Sequence, residues 1–301
     1  MPTQPFRLAI ASSRQYSSLH EDDLHLATML ERVGMKSTVC VWNDPELDWT
    51  AYDAVLVRTI WDYYEHYPAF LAWTHTLDRL GITVINDTGM LRWNSDKHYL
   101  LDLQRQGVPI IPTRAASGVA LHEMLSAMDA REIVIKPTVS GGAWHTVRGR
   151  IGSADFEQAL AQLPQRLDYL VQPFVPEIAS NGEWSLLYFG GEFSHAVLKR
   201  PMSGDYRVQV EHGGSITPAM PDQAMLNAGG KILAAVGALG HQQPLYARVD
   251  GVVANGQFLT MELELIEPSL FLADRPDATE RFAHLLLEQL RQLGHEARRL
   301  G

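Results

Sequence analysis

The chain has one cysteine, Cys40, in 301 residues, so no internal disulfide framework can hold it together. Cys40 lies in the apolar run Ser37-Thr38-Val39-Cys40-Val41-Trp42, which reads as a buried, unreactive thiol rather than a nucleophile. Positive charge is scarce as well: 25 Lys and Arg stand against 35 Asp and Glu, for a formal net charge of -10. A broad footprint for a phosphate backbone is not expected, so no nucleic-acid partner is either, and an anionic ligand has to be met by locally clustered cations. No apolar run approaches membrane-spanning length, and residues 1–7 carry no long apolar stretch after a basic start. No membrane partner is expected, and the expected location is cytoplasmic. The 12 histidines show no metal-ligand spacing, with His145 and His195 the two worth watching, and there is no internal repeat or low-complexity segment. Neither the Walker A pattern nor the dinucleotide fingerprint occurs.

A hydrophobic content of 46% supplies a real core for two domains or one elaborated α/β unit. Residues 6–11 read as a strand, followed by a helix that Glu21-Asp22-Asp23 opens and Gly34 closes. Strands over 37–42 and 54–59, a helix over 67–80 closed by Gly81, and a strand over 82–86 complete a small, mostly parallel sheet. Beyond it the pattern is α+β, with helices over 96–106, 121–128, 224–237 and 277–293. Strands are expected over 132–136, 169–174, 184–188, 192–198 and 207–209. The expected domains are an N-terminal substrate-side α/β unit over 1–90, a central subdomain over 91–170 and a C-terminal subdomain over 171–301.

The densest chemistry lies in two strand-like runs, Tyr246-Ala247-Arg248-Val249-Asp250 and Met261-Glu262-Leu263-Glu264-Leu265-Ile266-Glu267-Pro268. Side chains alternate faces along a strand, so Glu262 and Glu264 share one face and Met261, Leu263 and Leu265 the other. Carboxylates so close, with Asp250 on the preceding strand, repel unless a cation sits between them, which points to a divalent metal. Register decides whether they meet. A two-residue turn at Asn255-Gly256 pairs Val249 with Glu262 and leaves Asp250 on the wrong face. A three-residue loop, with Gly256 in a left-handed bulge, gathers Arg248, Asp250, Glu262 and Glu264, and is the register expected. The bland alternative is the solvated outer face of an edge hairpin.

Upstream, Lys97 starts a helix and Lys136 ends the apolar strand Ile133-Val134-Ile135-Lys136. Burial of such a lysine is costly unless its ammonium meets an anion, and phosphate is the natural one. The following Ser140-Gly141-Gly142-Ala143-Trp144 offers backbone N–H groups that could close over phosphates, although a surface turn with Lys136 snorkelling to water fits equally. In Gln172-Pro173-Phe174-Val175, Pro173 interrupts a strand and frees backbone groups suited to a planar heterocycle such as adenine; the alternative is an edge strand with a bulge. Glu177 and Glu183 could accept from ribose hydroxyls. Arg58 lies just past the third strand, where open sheets place ligand contacts, beside Trp61, Asp62 and Tyr63. It could bind a carboxylate and Asp62 an α-ammonium, or the two could form an ordinary ion pair.

Taken in order, these pieces resemble the ATP-grasp superfamily, in its glutathione-synthetase-like branch of carboxylate-amine ligases, over residues 86–268. Asp96-Lys97 with Gln106-Gly107-Val108-Pro109 looks like the first lysine segment and Val134-Ile135-Lys136-Pro137 like the second. Gln172-Pro173-Phe174-Val175 looks like the adenine hinge, and Asn181-Gly182-Glu183 like the segment that supplies a ribose-binding acid. Arg248-Val249-Asp250 and Glu262-Leu263-Glu264 with Pro268 look like the metal-binding end, where Glu264 stands in place of the usual Asn. Arg207 stands where the family places a phosphate-facing arginine. A narrower similarity is to the cyclo-ligases of cycloserine biosynthesis, which act on O-ureido-serine. It is carried by Arg58-Thr59-Ile60-Trp61-Asp62-Tyr63, Arg92-Trp93-Asn94, Gly182-Glu183-Trp184-Ser185, the run from Ser194 to Lys199, and the run from Glu262 to Leu270.

The resemblance implies an ATP-grasp fold in which a small, mostly parallel α/β domain precedes two α+β subdomains that enclose ATP. It implies Mg²⁺, with Mn²⁺ as an alternative, on Asp250, Glu262 and Glu264, and Lys97, Lys136, Ser140, Gly141 and Gly142 at the phosphates. Arg207, Arg248 and Lys199 would be the catalytic groups, and Arg58, Trp61, Asp62 and Tyr63 would meet a small amino-acid-like substrate. The implied reaction turns a carboxylate into an acyl phosphate that a nitrogen attacks, most specifically O-ureido-D-serine closing to D-cycloserine. An intermolecular carboxylate-amine ligase and a non-catalytic ATP-binding module are the alternatives, and a homo-oligomer is left open.

Overall fold

The computed structural model describes residues 6–128, 132–202 and 213–300. Strands β1 (Arg7–Ser12), β2 (Lys36–Val41), β3 (Ala54–Val57) and β4 (Thr83–Ile85) pair in parallel in the order β2-β1-β3-β4. Parallel sheets need both faces covered. Leu8 and Ile10 pack under α1 (Glu21–Arg32) and α9 (Pro276–Leu300), against Leu26, Leu30, Phe282 and Leu286. Ala9 and Ala11 face the other way, against Trp42, Trp49 and the Phe70 and Trp73 of α2 (Tyr67–Leu80). Gly81, at φ 68, closes α2 in the left-handed conformation that glycine adopts without strain.

The second sheet is antiparallel, from β9 (Glu183–Phe189), β10 (Glu192–Arg200), β11 (Ser215–Ala219), β12 (Tyr246–Ala254) and β13 (Gln257–Glu264), in the order β11-β10-β9-β12-β13. Its apolar face, with Leu186, Ala247, Val249 and Leu263, packs on Ile232, Leu233 and Val236 of α8 (Gln223–Ala238) and on α4 (Tyr99–Arg105). The opposite face is left for chemistry. The third sheet combines β5 (Arg114–Ser117), β6 (Glu132–Pro137), β7 (Val147–Arg150) and β8 (Asp168–Pro173) in the order β5-β8-β6-β7. Helices α5 (Leu121–Ser126) and α6 (Ala154–Leu160) cover its back through Leu121, Leu125 and Phe156. The expected division between residues 170 and 171 falls inside β8.

The helix expected over 96–106 is α4 alone, preceded by α3 (Thr88–Asn94), whose start Asp87 caps by accepting from the Met90 N–H at 3.0 Å. A short helix with glycine at its second position carries too little periodicity to be seen in sequence. Among the described residues no helix is long and apolar enough to cross a membrane.

Candidate active site

The hairpin of β12 and β13 brings the carboxylates together by a different device from the one expected. Asn255 (φ 51) and Gly256 (φ 74) form a two-residue turn, because Ala254 pairs directly with Gln257. The three-residue loop is therefore corrected. The shift comes instead from a β-bulge: pairing steps from Gly251 with Thr260 to Asp250 with Glu262, leaving Met261 as the extra residue. Asp250 thus lies opposite Glu262, and Arg248 opposite Glu264. The bulge needs glycine, since a Cβ on Gly251 would stand 2.7 Å from the Leu259 carbonyl oxygen and collide with the Phe258 ring.

This face floors a cleft of about 290 Å³. The third sheet roofs it with Lys136 of β6, the segment Gln172-Pro173-Phe174-Val175 at the end of β8, and the loop Ser140-Gly141-Gly142. Lys97, Glu183 and Lys199 line it too, together with Arg248, Asp250, Glu262 and Glu264. Glu177, in the first turn of α7 (Glu177–Asn181), does not line it, whereas its neighbour Ile178 does. Arg207 and the strand expected over 207–209 lie outside the described residues. A second cavity, about 240 Å³ beside β4, is lined by Asp78 and Asp87 but by no lysine or arginine, so it offers nothing to a phosphate.

Inside the cleft, charges are paired tightly. Lys136 Nζ lies 3.1 Å from Glu262 Oε1, and Lys97 Nζ lies 3.9 Å from the same oxygen while donating to the Ser140 carbonyl at 2.7 Å. Burial works to raise the Glu262 carboxyl, but the two lysines overcome it and hold it at about 2. Lys199 bridges Glu183 at 2.6 Å and Asp250 at 3.5 Å. Arg248 Nη2 donates to Asp250 at 2.9 Å and also to Glu264. Burial again opposes ionisation of Asp250, yet Arg248 and Lys199 keep its carboxyl below the usual range. For Glu264 the balance reverses: burial, reinforced by Asp250 and Glu262, outweighs Arg248 and pushes it up to about 7.

Among the described residues no three His, Cys, Asp or Glu side chains converge on one point, because these carboxylates are turned to lysine and arginine. Their chemistry still suits a hard divalent cation. They are oxygen donors on rigid strands, and the burial and neighbouring carboxylates that raise the Glu264 carboxyl are a cost that a further positive charge would relieve.

The glycine loop is closed from the N-terminal side. A Cβ on Gly141 would come within 2.7 Å of the Tyr64 ring, and Tyr64 also packs on Trp144 with centroids 5.5 Å apart. Nothing in the sequence marked Tyr64, because the contact joins residues far apart in the chain.

The residues expected at the substrate are used otherwise. Arg58 is 1% exposed, pairs with Asp23 at 2.7 Å and donates to the Pro268 carbonyl at 2.6 Å, which leaves its buried Nη1 as the one guanidinium nitrogen with no hydrogen-bond partner among the described residues. Asp62 is not its partner and accepts from Trp42 Nε1 at 2.8 Å. Trp61 Nε1 donates to the Glu267 carbonyl at 2.9 Å, and Tyr63 is buried against Phe70.

These contacts belong to a larger arrangement. Beyond β13 the chain is irregular, and from Leu265 to Leu270 each carbonyl accepts from a side chain: Asn86, Tyr246, Trp61, Arg58, Arg248 and His195 in turn. Asp22 then accepts the N–H groups of Phe271, Leu272 and Ala273 at 2.8, 2.9 and 3.0 Å. Buried irregular backbone must find such partners, and here they bolt the first sheet to the carboxylate strand. His195 serves as a neutral donor, since burial lowers its ring to about 4.

A family model described as the N-terminal domain of D-cycloserine synthetase DcsG matches residues 8–86. Cycloserine biosynthesis protein DcsG of Streptomyces lavendulae is 34% identical over 274 residues, covering 86% of this chain and 90% of that protein. The chain belongs to the DcsG family of ATP-grasp ligases. The crystal structure of D-cycloserine synthetase DcsG superposes with a TM-score of 0.83 at 30% identity, covering 94% of this chain and 99% of that one. D-alanine–D-alanine ligase from Bacillus anthracis shares the fold, with a TM-score of 0.68 at 15% identity, covering 97% of this chain and 99% of that one. As a member of this family the protein is an ATP-dependent ligase that forms C–N bonds, and the expected ATP-grasp class holds.

Proposed function

We propose that this ligase converts O-ureido-D-serine to D-cycloserine: the carboxylate is activated as an acyl phosphate, the substrate's own ureido nitrogen displaces phosphate to close the ring, and water then removes the carbamoyl group from that nitrogen as carbamate. The observation that carries this is the face of Arg248, Asp250, Glu262 and Glu264 set opposite Lys97 and Lys136, in a chain similar to DcsG over nine-tenths of that protein's length. Lys136 and Lys97 would exchange Glu262 for phosphate oxygens of ATP, which frees Glu262 to join Asp250 and Glu264 in holding Mg²⁺ or Mn²⁺. The ion would neutralise charge on the transferring phosphoryl group. The backbone around Gln172, Pro173, Phe174 and Val175 would receive adenine, and Glu183 a ribose hydroxyl. Ser140, Gly141 and Gly142 would close over the phosphates, and Arg248 would meet the transferring phosphoryl group. Lys199, which lines the cleft between Glu183 and Asp250, would act beside it, Arg207 is assigned there on the resemblance alone, and Glu177 keeps no role at the cleft wall.

Ring closure within one molecule needs no second substrate, and the tethered nucleophile acts at high effective concentration. The chain would work as three units: the first sheet on the substrate side, with the third and second sheets enclosing ATP. The test is ADP release. Turnover with O-ureido-D-serine alone is expected, with cycloserine identified by mass; turnover requiring an added amine would replace the cyclisation with intermolecular ligation.

A further inference from the structure

Alternation along β8 sends its side chains to two faces of the third sheet. Tyr169 and Val171 lie in the core behind that sheet, so Leu170 and Gln172 project from its other face, with Lys136 and Val134 opposite them across the ladder. Gln172, Val134 and Lys136 all line the cleft. Gln172 is nonetheless only 5% exposed, so its amide has to be satisfied within the protein or by whatever fills the cleft.

Thr113, immediately before β5, decides which way that amide faces. Its hydroxyl lies 2.6 Å from the Ile111 carbonyl and 2.8 Å from the Gln172 amide. A carbonyl only accepts, so the single hydroxyl proton goes to Ile111 and the Thr113 oxygen is left to accept. Gln172 therefore turns Nε2 toward Thr113; the reversed amide would set two acceptor oxygens 2.8 Å apart with no proton between them. Oε1 points away from Thr113. Among the described residues nothing donates to this oxygen, yet it is not one of the polar atoms sealed from the surface without a partner, so it is open where Gln172 lines the cleft.

We propose that Thr113 is a positioning residue that locks Gln172 as an acceptor for the 6-amino group of adenine, and so sets a preference for ATP over nucleotides with a 6-oxo base. This rests on the placement of adenine proposed above. Adenine donates from its 6-amino group, whereas guanine and hypoxanthine carry a carbonyl there, which would meet Oε1 acceptor to acceptor. Thr113 does not itself line the cleft and acts through the amide.

The experiment measures Kd by calorimetry for ATP, ITP and purine riboside triphosphate, which is ATP without the 6-amino group. No carboxylate substrate is present, so the outcome does not depend on which one the enzyme activates. The wild type is expected to bind ATP on the order of 10-fold more tightly than either analogue. Thr113→Val keeps the shape but neither donates nor accepts. It should erase most of the preference, weakening ATP while leaving purine riboside triphosphate unchanged, and Thr113→Ser should keep the preference. Gln172→Met should show the same loss as Thr113→Val, and decides the matter if thermal melts show that Thr113→Val has unfolded. Equal weakening of all three nucleotides, an unaltered preference in Thr113→Val, or a wild type that does not distinguish them overturns the assignment. Val134→Trp, which fills the cleft beside Gln172, tests the adenine placement separately. Loss of ATP binding there, with the preference unaltered in Thr113→Val, removes only the role of Thr113; full ATP affinity in Val134→Trp removes both.

Discussion

Replacing Glu262 by Gln tests how the cleft passes from internal ion pairs to a bound nucleotide. Glu262 is the shared partner of Lys136 and Lys97, whose side chains are 12% and 11% exposed, while its own is 27% exposed. Removing one member of a fully buried ion pair costs ~3–5 kcal/mol. Partial exposure, and the bond Lys97 keeps to the Ser140 carbonyl, reduce this to about 1–2 kcal/mol. In a chain of this size that is a fall in Tm of roughly 2–3 °C. The loss depends on pH with a definite sign. Glu262 is held at about 2 against an ordinary 4.5, so its contribution is complete above pH 4.5 and fades as pH falls toward 2. The gap between variant and wild type should close over that interval in urea melts. Turnover should fall by at least 10²- to 10³-fold, as when a charge-stabilising contact is removed from a transition state. Affinity for ATP without divalent metal should hold or rise, because the lysines no longer have to leave a carboxylate to meet phosphate. Calorimetry and ADP release measure the two separately. Near wild-type turnover would sink the metal assignment, and weakened metal-free ATP binding would sink the exchange of Glu262 for phosphate.

Glu264→Gln should act in the opposite sense on stability. The Glu264 carboxyl is raised from 4.5 to about 7, so the folded state holds a proton that the unfolded state has lost, and wild-type stability falls as pH rises through that interval. The variant should be flatter with pH and about 1–2 kcal/mol more stable at pH 8 by urea midpoint; a less stable variant would mean that its pair with Arg248 dominates. Gly251→Ala forces a side chain against the Leu259 carbonyl and the Phe258 ring, with an expected loss of roughly 2–4 kcal/mol and of ATP turnover. Wild-type stability and turnover in that variant would remove the bulge as the device that aligns Asp250 with Glu262.

Most of the fold was legible because the first sheet announces itself locally. The strand near residue 6, the helix opened by Glu21 and the stop at Gly81 each follow from periodicity and caps, and α2 spans Tyr67–Leu80 as expected. What escaped was short or at an edge. β5 (Arg-Ala-Ala-Ser) and β7 (Val-Arg-Gly-Arg) are the outer strands of the third sheet and have no run of β-branched residues. Their strand character comes from pairing with β8 and β6, not from their own composition.

The cleft lysines and carboxylates were legible for a different reason: buried charge is costly, so its presence in strand-like runs demands a partner or ligand. That reasoning also reached the right face for Asp250 from the wrong turn. Demanding that the carboxylates meet requires an odd register, and a three-residue loop is one way to obtain it. Gly251 was the better clue, since an isolated glycine inside a strand signals a bulge, and the Asn255-Gly256 turn could then keep its preferred two residues. Arg58 shows the converse limit. Its position after a parallel strand invites a ligand, but the partner that claims it, Asp23, lies in a helix, and the carbonyl it holds is at Pro268. Such partners are distributed from Asp22 to Arg248, so no local window contains them. The segment from Leu265 to Ala273 is the extreme case: it carries no secondary-structure signal of its own and takes its rigidity from side chains elsewhere. A substitution at Asn86, Arg58 or Asp22 should accordingly loosen this segment and lower the thermal midpoint, although none of the three lines the cleft; an unchanged melt would mean that the segment holds its shape without them.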